Sequence, residues 1–265
     1  MMTDEIVLVT GGGRGFGEAI ARRFASEGAA VAVLSRNRAQ LDKVVAGIEA
    51  DGGRAFAVTA DVTSPTDVDR AVSEVEAALG PITLFINNAG VPGPFGPLWE
   101  VDVDEWWAAQ QVHIRAPMLF LHRILPGMIA RNRGRAIIVS AIASRMVAPY
   151  LNAYCTGKIA QNRIVAEAAA ELKDTAVKVF AIDPGFVFTA LANETMTSPD
   201  AKKWLPGMVG RLEAASETND GADLARCAQR CVDLASGRYD VLSGSYAELP
   251  DDLDAMARDK EAMSV

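Results

Sequence analysis

The chain is poor in histidine, cysteine and aromatic side chains, and it has no surplus of positive charge. Two histidines, His113 and His122, and three cysteines are all it offers among 265 residues. Cys227 and Cys231 sit four apart, on one face of an expected helix, but no further Cys or His completes a zinc set. An odd number of thiols without framework spacing fits a reducing compartment and packed cysteines, Cys155 included. Asp and Glu outnumber Lys and Arg, 34 to 26, for a net charge of -8. Such a balance repels phosphate backbones, so no nucleic-acid partner is expected. No apolar run is long enough to span a membrane. The opening MMTDEIVLVTGGG enters a strand pattern directly, without a basic leader or a cleavage site, and the expected location is cytoplasmic. Linkers, low-complexity stretches and internal repeats are lacking too. The expected organisation is one domain over 1–250 with a polar tail over 251–265.

What is present is a regular alternation. Half the residues are apolar, enough for the core of one large domain. Short β-branched runs over 6–10, 30–34, 55–60, 83–87, 136–140 and 177–182 predict strands. Amphipathic stretches over 15–27, 39–50, 65–79, 104–131 and 152–173 predict helices. Strands apolar on both faces, alternating with helices, predict an α/β fold: a doubly wound parallel sheet with helices on both faces. Ligands of such sheets bind beyond the carboxyl ends of the strands.

The chemistry-bearing residues fall at those ends. Tyr154 and Lys158 are four apart on a predicted helix and share a face. A unit positive charge about 4 Å from a phenol is worth roughly 4 kcal/mol at an effective dielectric near 20, or about three pKa units. The pair is thus expected to make Tyr154 an acid–base group, against the alternative of an unremarkable surface pair. Thr10 to Gly17 joins the first strand to the first helix, with Gly11, Gly13, Arg14, Gly15, Phe16 and Gly17 as candidate cofactor contacts. Glycines there let a pyrophosphate approach a helix N-terminus. The second strand ends Ser35-Arg36, without the acidic residue that reads ribose hydroxyls in NAD sites. Arg14 and Arg36 would converge on a 2′-phosphate, so NADP(H) is expected ahead of NAD(H); solvated arginines are the plainer reading. Asp61 and Val62 are placed for the adenine, or Asp61 caps a helix. Asn88, Ala89 and Gly90 would border the ribose, or form a simple turn.

Thr-Gly-x-x-x-Gly-x-Gly at 10–17, Asn-Asn-Ala-Gly at 87–90, Tyr-x-x-x-Lys at 154–158 and Pro-Gly-x-x-x-Thr at 184–189 follow in order. In this set the chain resembles the short-chain dehydrogenase/reductase family over residues 6–189. The resemblance implies a Rossmann-type sheet of about seven strands. It implies a homotetramer or homodimer built on the long fourth and fifth helices, and hydride transfer between a nicotinamide and a carbonyl or alcohol. Tyr154 would protonate the carbonyl oxygen, and Lys158 would hold the ribose and lower the tyrosine pKa. Pro184, Gly185, Val187 and Thr189 would face the nicotinamide end.

Two positions depart from the family. Its serine falls on Ala141; the neighbours Ser140 and Ser144 are candidate substitutes, and alternation along a strand would turn Ser140 away. Its asparagine, which organises a water chain from the lysine to solvent, falls on His113. That histidine is expected either to replace or join the relay or to pack between helices. Residues 92–97, 144–151 and 186–218 would surround a small-molecule substrate. The last is a candidate lid, with Phe188, Leu191, Met196, Trp204, Leu205, Met208 and Val209 suggesting an apolar ligand, or a covered sheet edge or subunit contact. Arg145 could meet a carboxylate or be solvated. The expected activity is a ketone/secondary-alcohol oxidoreductase. The alternatives are non-redox elimination or lyase chemistry with Tyr154, and a catalytically silent NADP-binding protein.

Overall fold

Five of the strands carry the apolar runs into the middle of the sheet: β1 (Ile6–Thr10), β2 (Ala30–Ser35), β4 (Leu84–Asn87), β5 (Arg135–Val139) and β6 (Lys178–Ile182), each with mostly buried side chains. β3 (Arg54–Thr59) and β7 (Tyr246–Ala247) close the edges. The computed structural model describes residues 1–187, 189–218 and 221–263, so Phe188 and the last two residues of the expected tail lie outside the described residues. The sheet has seven strands in the order β3-β2-β1-β4-β5-β6-β7, every pairing parallel. Val9, for example, pairs with Val33 on one side and Ile86 on the other.

Alternation along β1 divides the core. Val7 and Val9 pack on α1 (Gly15–Ser26), α2 (Arg38–Ala50) and α10 (Ala222–Ala235), while Leu8 faces α3 (Pro65–Leu79), α5 (Ala116–Ala130) and α6 (Asn152–Glu171). Phe85 and Phe120 stack at 5.1 Å between sheet and helix on the second face. Cys227 and Cys231 are fully buried within α10, as packing residues. The starts of α2 and α3 are chemically marked. Ser64 accepts from Asp67 N ahead of Pro65, and Asn37 accepts from Gln40 N.

Three expectations change. The helix predicted over 104–131 is α4 (Val103–Gln110), a π turn over Gln111–Arg115, and then α5. Pro117 is the physical reason, because it has no N–H for the ladder bond to residue 113, four positions back. The candidate lid is not an open loop but α7 (Ala190–Thr197), α8 (Pro199–Trp204) and α9 (Pro206–Thr218). The expected tail holds α11 (Leu253–Ala262), whose Leu253 enters the core alongside Met256 and Ala257. Among the described residues no helix is long and apolar enough to cross a membrane.

Candidate active site

The loops that leave the carboxyl ends of β1, β2, β3, β4, β5 and β6 open into one cavity of about 1720 Å³. Typical small-molecule sites occupy roughly 300–1,000 Å³, so this volume accommodates a dinucleotide with a second ligand. At one end lie Ser35, Arg36, Asp61 and Val62. Gly11, Gly13, Arg14, Gly15 and Phe16 line the middle with Asn88, Ala89 and Gly90. Tyr154, Lys158, Pro184, Gly185, Val187 and Thr189 follow, and Phe95, Leu205 and Met208 line the far end.

The glycine turn is shaped for close approach. Gly11 and Gly15 have φ of 64° and 57°, in the left-handed region. The Thr10 hydroxyl accepts from Asn88 N (3.0 Å) and Ala89 N (3.1 Å), while Asn88 Nδ2 donates to Thr10 O at 3.1 Å. These bonds tie the ends of β1 and β4. Gly17 sits behind the wall, where a Cβ would come within 2.6 Å of Asn88 Nδ2. Helix α1 begins at Arg14 with no side-chain cap, leaving its first N–H groups to a ligand. Bare turn, uncapped helix start and cavity together fit a dinucleotide. Thr189 comes up to Gly15 from the opposite loop and caps α7 through Ala192 N.

The Arg14 guanidinium pairs with Glu194 of α7 at 3.0 Å, both side chains about half exposed. Arg36 is exposed beside Ser35. Asp61 accepts from Thr63 N (2.8 Å) and Thr63 Oγ1 (2.7 Å), holding a turn, and the cap of α3 falls to Ser64.

Around Tyr154 the expected electrostatics are reversed. Lys158 Nζ stands 5.5 Å from the tyrosine ring centroid and donates to Val139 O at 2.8 Å and Gln161 Oε1 at 3.2 Å. Burial pushes the phenol above its ordinary value, and the Asp183 carboxylate adds to the rise. Burial also brings Lys158 down to about 7, with Asp183 opposing. Desolvation therefore outweighs the attraction expected from the pair.

His113 is completely buried, edge-on to Tyr154 at 5.5 Å, and its Nε2 lies 2.8 Å from Val91 O. A carbonyl only accepts, so Nε2 carries the hydrogen. Burial lowers the imidazole to about 3, helped by the Lys158 charge. His113 is therefore neutral at physiological pH and is not among the residues that line the cavity, which favours the packed histidine of the two expectations. Gly157 makes room for it: a Cβ there would lie 2.6 Å from His113 Cβ.

The Ser140 hydroxyl donates to Lys158 O at 3.1 Å, and the residue is 1% exposed. The hydroxyl is turned to the α6 backbone, while the residue itself borders the cavity. Ser144 accepts from Asn162 Nδ2 at 2.8 Å, also buried. Arg145 is exposed, pairs with Glu248 at 3.0 Å and lies over the Tyr246 ring. Burial pushes the Cys155 thiol up, away from a nucleophile's range.

Phe95, Leu151, Ala201 and Val209 form an apolar cluster joined by Tyr154, Cys155, Met196, Leu205 and Met208, which brings α7, α8 and α9 onto the tyrosine. Two contributors escaped the sequence reading. Asp183 accepts from Ile142 N at 3.0 Å and ties the loop after β5 to the end of β6; its signal was Asp-Pro-Gly at a strand end. Gln161 touches Lys158, and its signal was a polar residue on the buried face of α6.

The sequence profile of the short chain dehydrogenases matches residues 5–200. A short chain dehydrogenase of Pseudocercospora fijiensis (strain CIRAD86) is 34% identical over 259 residues, 96% of this chain and 82% of the relative. A solved metagenomic short-chain oxidoreductase in complex with NADP is 36% identical, with a TM-score of 0.66 over 70% of this chain and 84% of that one. NAD+-bound xylitol dehydrogenase is 26% identical, with a TM-score of 0.79 over 92% and 96%.

Proposed function

The chain belongs to the short-chain dehydrogenase family of oxidoreductases, and from that premise we propose that it interconverts a ketone and a secondary alcohol on a largely apolar substrate, with NADP(H) preferred. The bound nicotinamide would supply or accept the hydride. The observation that carries this reading is the place of Tyr154. Its phenol stands in the cavity between the glycine turn and the apolar lid cluster, kept protonated by burial.

The glycine turn and the start of α1 would hold the pyrophosphate, Asp61 and Val62 the adenine, and Asn88, Ala89, Gly90 and Lys158 the ribose. Pro184, Gly185, Val187 and Thr189 would take the carboxamide. Ser35 carries no charge and Arg36 is exposed beside it, which supports a 2′-phosphate over a bare ribose. Tyr154 donates its proton to the carbonyl oxygen in reduction and recovers it in the reverse direction. With Ser140 turned away and Ala141 beside it, no serine of that loop shares the load on the developing oxyanion. A lost donor of that kind costs roughly 2.7–4 kcal/mol in other enzymes. Helices α7–α9 act as the lid that shields the reacting carbon from water. Exposed Leu98, Trp99, Val103 and Trp107 support a homodimer or homotetramer.

Elimination chemistry loses one of its motives, because His113 neither reaches the cavity nor titrates near neutrality. The deciding experiment follows reduced-nicotinamide absorbance over a panel of apolar ketones, in the parent enzyme and in Tyr154→Phe. The expected outcome is NADPH consumption that the substitution abolishes, with NADPH affinity changed by less than about twofold, since the phenol's part is proton transfer. Full turnover in Tyr154→Phe sinks the mechanism. Tight NADPH binding without turnover on any substrate makes the protein a silent binder, and product without NADPH consumption makes it a lyase.

A further inference from the structure

Gln161 lies one turn beyond Lys158 on α6 and is fully buried. Its amide has two partners. Lys158 Nζ donates to Gln161 Oε1 at 3.2 Å, and Gln161 Nε2 donates to the His113 backbone carbonyl at 3.0 Å. The flipped amide would set an NH₂ against an ammonium and an oxygen against a carbonyl, so each bond fixes the other. The His113 carbonyl faces this donor because the residue four positions on is Pro117, which has no N–H to return to it. Lys158 also donates to Val139 O at 2.8 Å. Two of the three ammonium hydrogens are thereby placed, and the third is left for the cavity that Lys158 lines. An apolar side chain would fill the same space with less desolvation; the two bonds are what the amide adds.

We propose that Gln161 is a positioning residue for Lys158: its amide braces the ammonium against the His113 carbonyl and closes the span between them with a group that passes no proton. The inference rests on the reading of Tyr154 and Lys158 as the acid–base pair. A water or hydroxyl in that span could accept a proton on one side and release one on the other. An amide accepts at oxygen and donates at nitrogen, and near neutrality it gives up neither role. The link is a strut, and protons that replenish Tyr154 reach it from the cavity side.

The titratable groups facing Lys158 are Tyr154 on its own helix, His113 from the π turn and Asp183 at the end of β6. Against that fixed background, removing the Gln161 acceptor withdraws a hydrogen bond made to the charged form and lowers the lysine midpoint. A carboxylate in its place raises it. A residue that merely fills space would produce no such pair of opposite shifts.

The test titrates the Lys158 Cε chemical shift by NMR in the full-length protein, in Gln161→Met and in Gln161→Glu, with thermal midpoints recorded in parallel. The expected result is a shift of about half to one pH unit downward for Gln161→Met and upward for Gln161→Glu. The alkaline limb of kcat/KM for carbonyl reduction moves in the same directions. Unmoved midpoints, or shifts of one sign in both folded variants, overturn the proposal. Should Gln161→Met fail to fold, the sign in Gln161→Glu decides alone. The NMR midpoint needs no turnover: a protein that binds NADPH and reduces nothing sinks the reading of the active site and leaves only the bracing of Lys158 by Gln161 standing, whereas normal turnover with fixed midpoints sinks the inference only.

Discussion

His113 shows how a single residue is governed by what surrounds it. Gly157 admits it against α6, Val91 O takes its Nε2 hydrogen, and burial holds its ring neutral down to about pH 3. The unfolded chain protonates the same imidazole below about pH 6.5. Between those values the unfolded state binds the extra proton. Stability from this residue is therefore complete above pH 6.5 and declines as the pH falls toward 3. The slope approaches about 1.4 kcal/mol per pH unit below the unfolded value, so the protein should lose about 1.6 kcal/mol between pH 6.5 and 5 that His113→Asn does not lose. Urea unfolding of both proteins at the two pH values measures the difference, and parallel losses would show that the imidazole is solvated. The His113 backbone has a separate task, receiving the Gln161 amide, which a substitution of the ring leaves in place.

At the scale of elements, legibility followed local chemistry. Helices α2 and α3 were readable from the apolar spacing that sustains them, and the structure shows Asn37 and Ser64 capping their starts. The stretch over 104–131 read as one helix because its apolar pattern runs on through the π turn; only Pro117 marked the break. Helix α11 was hidden by composition. Asp252 caps it through Asp254 N and Ala255 N, but just Leu253, Met256 and Ala257 carry its apolar face. Polar contacts hold it as well, Asp254 accepting from Arg238 and Tyr239 and Lys260 donating to Ser243 O, which leaves Leu253 as its one fully inserted apolar anchor. Leu253→Ala removes a side chain only 6% exposed, and comparable core truncations cost about 2–5 kcal/mol. The expected outcome is a loss near the lower end of that range in chemical denaturation, with turnover unaffected at temperatures where the variant is folded. A loss below about 0.5 kcal/mol, the usual surface range, would return residues 251–263 to the status of a tail.

Across the whole molecule, the sheet order brings six strand ends to one cavity, and this much was implicit in the spacing of motifs along the chain. The direction of side chains was not, because it depends on packing that no motif encodes. Ser140 turns to α6, Lys158 is shared between Val139 and Gln161, and Arg14 reaches across to the lid. That last contact joins the two halves of the cavity and divides the work of the arginines. Arg14 already has an anion in Glu194, an exposed pair of the kind worth about 0–1 kcal/mol. Arg36 is left as the principal cation beside Ser35 for a 2′-phosphate. A charge-assisted hydrogen bond to phosphate contributes about 1.5–3 kcal/mol, or roughly 10- to 100-fold in affinity. Arg36→Ala should therefore lower kcat/KM with NADPH by about that factor and leave kcat/KM with NADH nearly unchanged. Steady-state kinetics with both cofactors on one ketone measures the ratio. An equal loss with both would mean that Arg36 supports the fold of the turn instead of reading the phosphate, and a loss with NADH alone would reverse the proposed preference.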